Sequence, residues 1–560
     1  MENPAQANLT ESCAENPEQP RSGHHSLNLS VLRKIFQYLI FIPPTLFLWA
    51  ELRFTVNMPY WDDYDSVLNW LYKFSHSASL MGRFTLLLRQ HNEHRILFDR
   101  LIELLDLHLF GVVNFLYLNL FGFFGLIGTF LLIFMIGRRF NVTVYELIPV
   151  SLLLFTFSQH DLISFAMASI QMYWNLFFSI LAIIIITKSY DLMSIIVGFL
   201  VSVLAAFTSA GGLILFPTIL LFYVFTKHYR HAIAWLILSS SVFFVYFILL
   251  HYHQTAAGLA SHKYAANHIG LYATYIFLFL GNMAHTQSRA IVTSIAAGTA
   301  WLYLLIRKRS TVHAPMIITT LLILATAAAD GLSRIALGMG VALSSRYTPY
   351  SALLLSALYI ETITCMRTNV ARSIIFTVGM AFSLLFYAGW YNAGVASMQA
   401  KQSLLESELV YPVQSRALVI MRNAIRSKLF TPVSTIYSML PQNLPLGQLS
   451  LYRPGYFGHI DSVDTNGRIL KVSGWAAVRL DKRPATAVIL DVDGHYYTTW
   501  YARPRPNIAK RFNQPSYLYT GYTSTITLPL MTGNRCSVVA ITVSRHDVFH
   551  RSPEHMFSCR

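Results

Sequence analysis

The sequence predicts a polytopic α-helical membrane protein with a C-terminal β-sandwich or jelly-roll-like domain outside the cytoplasm. Three observations predict it. Of the 560 residues only 12% are charged while 54% are hydrophobic, and the mean hydropathy is +0.46; a soluble domain carries about 25% charged residues. Long apolar runs such as Asn119–Gly137 and Leu181–Thr187 recur as far as residue 392. In lipid such runs must close their own backbone hydrogen bonds, so they become helices. From about residue 458 the pattern turns to short β-branched runs separated by turn residues, as in GRILKVSGWAAV and CSVVAITVS.

The elements follow in order. Residues 1–30 are polar and read as a disordered cytoplasmic tail. Arg33 and Lys34 precede the first span, which reads as a signal anchor with no cleavable signal. Residues 31–392 form the transmembrane unit. Its spans fall at about 35–55, 113–137, 143–158, 169–187, 192–208, 211–226, 231–251, 287–306, 312–332, 348–366 and 372–392, eleven in all. Arg138 with Arg139, Lys188, Lys227 with Arg230, Arg307 with Lys308, and Arg367 with Arg372 sit on alternate connections. The positive-inside rule makes that side cytoplasmic, with the N-terminus, and puts the C-terminus outside. The segment 270–282 is short for a span and reads as interfacial or re-entrant; if it crosses, the C-terminus changes side. Lys401, Arg416, Arg422, Arg426 and Lys428 weigh against an outside C-terminus. Residues 393–457 read as a helical and loop-like linker, and 458–560 as the β-domain, with a hairpin turn at Asp491–Gly494.

The net charge of +16 punctuates span ends, and no basic stripe is interleaved with stacking aromatics, so nucleic acid is not a partner. The bilayer is. The four cysteines, Cys13, Cys365, Cys536 and Cys559, show no CxxC or zinc spacing. Outside the cytoplasm Cys536 and Cys559 are free to pair.

The polar residues concentrate in the first outside loop, 56–112. Asp62, Asp63 and Asp65 follow Pro59 at the start of a surface helix whose Val67, Leu68, Leu71 and Phe74 share a face. One aspartate explains a helix cap; three exceed it. His91, Glu93, His94 and Arg95 precede an amphipathic helix with Ile96, Leu97, Leu101, Leu104 and Leu105 apolar. On a helix, His91 and His94 share a face. Imidazoles with carboxylates can bind a divalent metal, with Asp62, Asp63, His91 and Glu93 as candidates, or hydrogen-bond a sugar or phosphate. Further polar positions lie at span ends: His160, Asp161, Gln171 and Asn175; the turn TSAGG (Thr208–Gly212); and Arg334, Arg346 and Tyr347 in a Gly- and Ser-rich loop. Arginine's planar fork suits phosphate. His251, His253, His262, Lys263 and His268 add a basic loop. Outside carboxylates can take a proton from an acceptor hydroxyl, and arginines or a metal can hold a departing phosphate. No P-loop is present.

PYWDD, HNEHRI, a polar SQ…Q…W…N segment, SAGGLILFP and SRYT occur in this order. Over about residues 35–392 they resemble the GT-C superfamily of integral-membrane glycosyltransferases, most closely a bacterial group of unassigned substrate. The resemblance implies a GT-C-like fold and a polyprenyl-phosphate sugar donor used on the periplasmic face of a bacterial inner membrane. It implies that Asp62 or Asp63 is the catalytic base or a metal ligand. Some branches use a divalent cation such as Mg or Mn and others do not, so the cofactor stays open. The C-terminal runs GRILKVSGWAAV and RPRPNIAKRF resemble a small β-domain appended to bacterial glycosyltransferases. Trp475 reads there as core.

The expectation is therefore a glycosyltransferase moving a sugar from a polyprenyl-phosphate-linked donor to an envelope glycan, O-antigen or similar. Asp62 or Asp63 would act as base. Asp65, His91, Glu93, His94, Arg95, Gln171 and Tyr347 would contact substrates, and Arg334 and Arg346 would hold the donor phosphate. A flippase and a donor-lipid-charging glycosyltransferase are the implied partners. The rival readings are a lipid-linked sugar transporter, which wants mid-span charges and an inverted repeat not found in the sequence, and a non-catalytic scaffold.

Overall fold

The computed structural model describes residues 36–284, 286–307, 313–407, 411, 414–432, 456–466, 469–479, 482–485, 487–528, 535–543 and 549–558. The predicted tail 1–30 and most of the predicted linker after 432 lie outside these residues, and so does Cys559. Cys536 is disulfide-bonded.

The chain is a helical membrane protein with a β-rich C-terminal region. After α1 (Ile42–Phe54) the first loop carries α2 (Trp70–Ser75), α3 (Leu80–Leu88) and α4 (Leu97–Phe110). Then come α5 (Phe115–Arg139), α6 (Ile148–Leu154), α7 (Ala166–Lys188), α8 (Leu192–Thr208), α9 (Leu215–Phe225) and α10 (Tyr229–Phe243). They are followed by α11 (Ala256–Asn267), α12 (Ile269–Leu280), α13 (Gln287–Arg307), α14 (Ala314–Arg334), α15 (Thr348–Thr364), α16 (Asn369–Ser407) and α17 (Gln414–Arg426). Among the described residues, six helices are long and apolar enough to cross a membrane: α5, α7, α10 with its extension to Leu249, α13, α14 with its extension to Leu337, and α16. The predicted spans at 143–158, 192–208 and 211–226 are shorter apolar helices. The last predicted span, 372–392, is part of a helix of 39 residues that runs on to Ser407.

Close packing explains the pairing of α5 with α7. Gly122, Gly125 and Gly128 form a stripe at helical spacing, and a Cβ on any of them would meet Ser169, Trp174 or Phe177 of α7 at under 3 Å. Small residues let backbones approach where lipid gives no hydrophobic push.

The bundle has two ends. The first loop lies at one end with the start of α7, the turn after α8, the segment after α10, the end of α14 and the start of α15. Representative contacts are Asp63 to Met167 (2.9 Å), His94 to Ala210 (3.2 Å), Arg95 to Leu250 (2.7 Å) and Glu93 to Arg334 (3.9 Å). The opposite end holds the buried pair Glu146–Arg372 (2.9 Å) and His313–Glu361 (3.2 Å). Both ends of α12 meet the loop end: it follows α11, and Asn282 just beyond it bonds the carbonyls of Ala342 and Ser344.

The amphipathic helix α4 is oriented opposite to the usual soluble arrangement. It buries Asp99, Arg100, Glu103 and Asp106, and exposes Leu101, Leu105, Leu109 and Phe110. Arg100 donates to the carbonyls of Leu86, Leu87 and Arg89 and lies over Trp70. Burial pushes the carboxyls of Asp99 and Glu103 well above the usual range, the latter also through Asp99 beside it. Exposed apolar side chains beside a bilayer face lipid, so apolar no longer means inward.

The C-terminal region packs at the loop end. Lys401 near the end of α16 is buried and donates to the carbonyls of Asp161 and Ile163, both at 2.8 Å, with its ammonium 4.0 Å from the Tyr60 ring. Arg416 of α17 pairs with Asp65 at 2.6 Å. Lys401 and Arg416, two of the five basic residues that weighed against an outside C-terminus, thus have partners at the loop end. A Lys401→Met variant is expected to lose about 1.5–3 kcal/mol, the worth of hydrogen bonds to a charged group. An unchanged unfolding midpoint in detergent would rule out that clamp.

The β-rich region comprises two antiparallel sheets. One orders β1 (Phe457–Asn466), β2 (Ile469–Val478), β7 (Gly521–Thr527) and β6 (Trp500–Arg503), with β3 (Arg483–Pro484) on β2. The other orders β10 (His555–Ser558), β8 (Arg535–Val543), β4 (Ala487–Val492) and β5 (His495–Thr498), with β9 (Phe549–Arg551) on β8. Residues of both sheets, among them Leu470, Val472, Leu490 and Val538, share one core, as in a sandwich. Trp475 is buried beside Ile508 and Tyr517. The turn Pro515–Tyr519 packs on α16, and Tyr519 joins the core under the first loop.

Candidate functional site

The three loop aspartates have three fates. Asp63 is buried. Its carboxylate accepts the N–H groups of Met167 (2.9 Å) and Ala166 (3.3 Å) at the start of α7, and of Tyr60 (3.1 Å). Orphan N–H groups at a helix start favour a carboxylate. Burial nevertheless raises its carboxyl to about 7, against the lowering by those N–H groups. Asp65 binds Arg416, Tyr411 (2.5 Å) and Asn69 (2.9 Å). Burial works to raise its carboxyl, but the bonds from Tyr411 and Arg416 outweigh it and hold it low. Asp62 has the least engaged carboxylate of the three: it is half-buried and, among the described residues, accepts one bond, from Asn92 at 3.3 Å.

The raised Asp63 carboxyl has a consequence for pH. Its folded value of about 7 exceeds its ordinary 3.8. Stability from the protonated form is fully present below about pH 4 and is lost as pH rises through 7. The unfolding midpoint is expected to fall between pH 5 and pH 8, and Asp63→Asn should shrink that fall. Identical pH profiles for the two proteins would refute it.

The knot Gln90–Arg95 is a tight turn rather than a helix. His91 and His94 exchange backbone hydrogen bonds at 2.8 and 2.9 Å. Helix α4 starts only at Leu97, so the expected shared helical face of His91 and His94 does not form. Asn92 holds a left-handed backbone with φ 49°, as does Trp61 with φ 47° beside Asp62. Such strain in a bulky residue marks functional sites. The Arg95 side chain is buried and, among the described residues, donates to the carbonyls of Leu88, Tyr246 and Leu250, while its backbone N–H donates to the Tyr246 hydroxyl, so it ties the loop to the bundle.

His94 and Glu93 point into a cavity of about 340 Å³ between the loop, the turn after α8 and the end of α14. Arg334 and Tyr347 line it too. Burial, then the charge of Arg334, pushes His94 down to about 3, so it is neutral; its Nδ1 accepts from the Ala210 N–H. Arg334 is already paired: Asp330 lies 3.1 Å from its Nε and Glu93 3.9 Å from a terminal nitrogen. Tyr275 donates to the other Asp330 oxygen at 2.8 Å, and Thr255 donates to Glu93. Arg346 differs. It lies over the Tyr347 ring at 5.2 Å and makes no ion pair with any described residue, and its buried Nε has no partner. Gln171 is buried one residue from the cavity wall at Met172, with its amide nitrogen unpartnered.

Glu93, His94, Arg334, Tyr347 and His262, all singled out in the sequence, thus line one cavity with Ser209, Ala210 and Gly211 of the TSAGG turn. Asp62 does not line it; its carboxylate accepts from Asn92, the chain neighbour of Glu93. Asp63, Asp65 and Arg95 serve the scaffold. Sequence reasoning missed Asp330; its spacing of four from Arg334 is the signal that could have found it. Tyr275, Thr255 and Lys401 carry no such local signal. Among the described residues no three His, Cys, Asp or Glu side chains form a group able to hold a metal ion. Asp63 is capped by backbone and Glu93 is tied to Thr255, so the four candidate ligands do not fit a shared ion.

No protein family, no curated protein and no solved structure matches this chain.

Proposed function

We propose that the protein is a GT-C-type glycosyltransferase with eleven passes, its loop end periplasmic, in a bacterial inner membrane. It moves one sugar from a polyprenyl-phosphate donor to an envelope glycan. The observation that carries this reading is Arg346, which makes no ion pair with any described residue and lies over Tyr347 in the wall of a small aromatic-walled cavity; the Asp62 carboxylate, bonded by Asn92 next in the chain to the cavity residue Glu93, is the most open acid of the first loop. The strained backbone of Trp61 beside Asp62 supports it.

In this reading the acceptor hydroxyl oxygen attacks the anomeric carbon, and Asp62 takes the hydroxyl proton. The bond from that carbon to the phosphate oxygen breaks, and the phosphate leaves with the electron pair. Arg346 holds the charge that develops on it. Asp63 fixes the loop on α7 so that Asp62 is presented. Eleven passes agree with the alternation of the two ends along the chain.

The test compares the mass of cell-surface glycan with and without the protein, alongside Arg346→Met. A sugar-sized increment that needs the protein and is lost in the correctly inserted variant is expected. No glycan difference with the protein inserted would overturn the transfer reading in favour of transport.

A further inference from the structure

We infer that the cavity of Glu93, Asp330 and Arg334 receives a sugar ring that carries no anionic substituent, a neutral or amino sugar and not a uronate. This rests on the transfer reading above and adds its substrate class.

Charge is the first ground. Two carboxylates, Glu93 and Asp330, face the cavity against one guanidinium, Arg334, which both already engage; the His262 imidazole also lines it and is hydrogen-bonded to Gln254. His94 adds no positive charge, because burial and Arg334 keep it neutral. The unpaired cation, Arg346, is not among the lining residues; it stacks behind Tyr347. The site therefore has an anion-accepting edge at Arg346 and an anion-repelling floor at Glu93 and Asp330. A lipid phosphate suits the edge and an uncharged ring suits the floor.

Shape is the second ground. The wall includes Tyr252, Phe279 and Tyr350, which offer flat apolar faces to a ring's C–H side. Gln254 and the carboxylates offer partners for hydroxyls. The volume of about 340 Å³ is at the small end of ligand pockets, roughly 300–1,000 Å³. That suits one or two rings rather than a long glycan. A carboxylate on the ring would meet the like charges of Glu93 and Asp330, with Arg334 already engaged by both, and like-charge juxtaposition is one means of rejecting a wrong ligand.

The test uses the full-length protein in lipid nanodiscs and three probes: undecaprenyl phosphate, undecaprenyl phosphate-glucose and undecaprenyl phosphate-glucuronate. The two sugar lipids differ only at the sixth carbon. Binding is read as ligand-induced thermal stabilisation across a titration. The glucose lipid is expected to bind about ten-fold or more tightly than the glucuronate lipid, and Glu93→Gln should narrow that gap. Should Glu93→Gln fold poorly, Asp330→Asn serves as the second variant. Equal or tighter binding of the glucuronate lipid would overturn the inference while leaving the lipid-phosphate reading standing. Failure of all three probes to stabilise the protein would overturn both.

Discussion

Asp62→Asn is expected to lower sugar transfer by roughly 10²–10⁴-fold in protein that remains folded, the usual worth of a positioned general base. Among the described residues the side chain makes a single hydrogen bond, from Asn92, and an amide oxygen can accept it as well. Its loss therefore changes chemistry more than stability. Asp63→Asn is expected to do the reverse. Its two oxygens serve three backbone N–H groups in a buried place, and an amide offers one oxygen and an unwanted donor. About 1–3 kcal/mol of stability should go with the unmatched groups. Transfer measured per folded molecule, with folding followed by thermal unfolding, separates the two. Full activity in folded Asp62→Asn would remove it as the base.

Arg95→Met should be the most damaging single change to the fold. The guanidinium satisfies three carbonyls, of Leu88, Tyr246 and Leu250, and lies 5.1 Å from the Tyr246 ring centre. Methionine fills the space but leaves those carbonyls buried and unmatched. At about 1–3 kcal/mol each, the loss is at least about 3 kcal/mol. That is a large share of a typical stability of roughly 5–15 kcal/mol. Size-exclusion profiles and membrane yield of the variant should both collapse. A monodisperse Arg95→Met protein of wild-type midpoint would show that the loop is held by other means.

Glu93 and Arg95 also show how far sequence reading reaches and where it ends. Composition and run length gave the helical membrane class, because lipid tolerates few alternatives. Alternating β-branched runs gave the terminal sheets. The polar residues that line the cavity were visible as Glu93, His94, Arg334 and Tyr347, since charge beside a bilayer is costly and stands out. What each carboxylate does was not visible. Asp63 answers N–H groups a hundred residues later, and Arg95 answers carbonyls from two distant segments. Backbone partners leave no mark in a sequence. The α4 helix was read by its apolar stripe, but next to lipid that stripe says only which face is not in water. Arg334 and Arg346 looked alike as phosphate clamps until Asp330 proved to hold one of them.

The long helix α16 carries a further consequence. Arg372 grips Glu146 at one end of the bundle, and Lys401 grips the carbonyls of Asp161 and Ile163 at the other. The two grips lie 29 residues apart along one helix, about 44 Å at 1.5 Å per residue. Twenty-nine residues is close to eight whole turns, so both grips project from nearly the same side. The helix is a calliper with two fixed jaws. Its gap equals the full thickness of a bilayer with headgroups, about 40–45 Å. A membrane of another thickness cannot be met by stretching this helix; the whole molecule must tilt or the lipid must deform around it. Activity should therefore depend on acyl-chain length, with a maximum where the jaws fit.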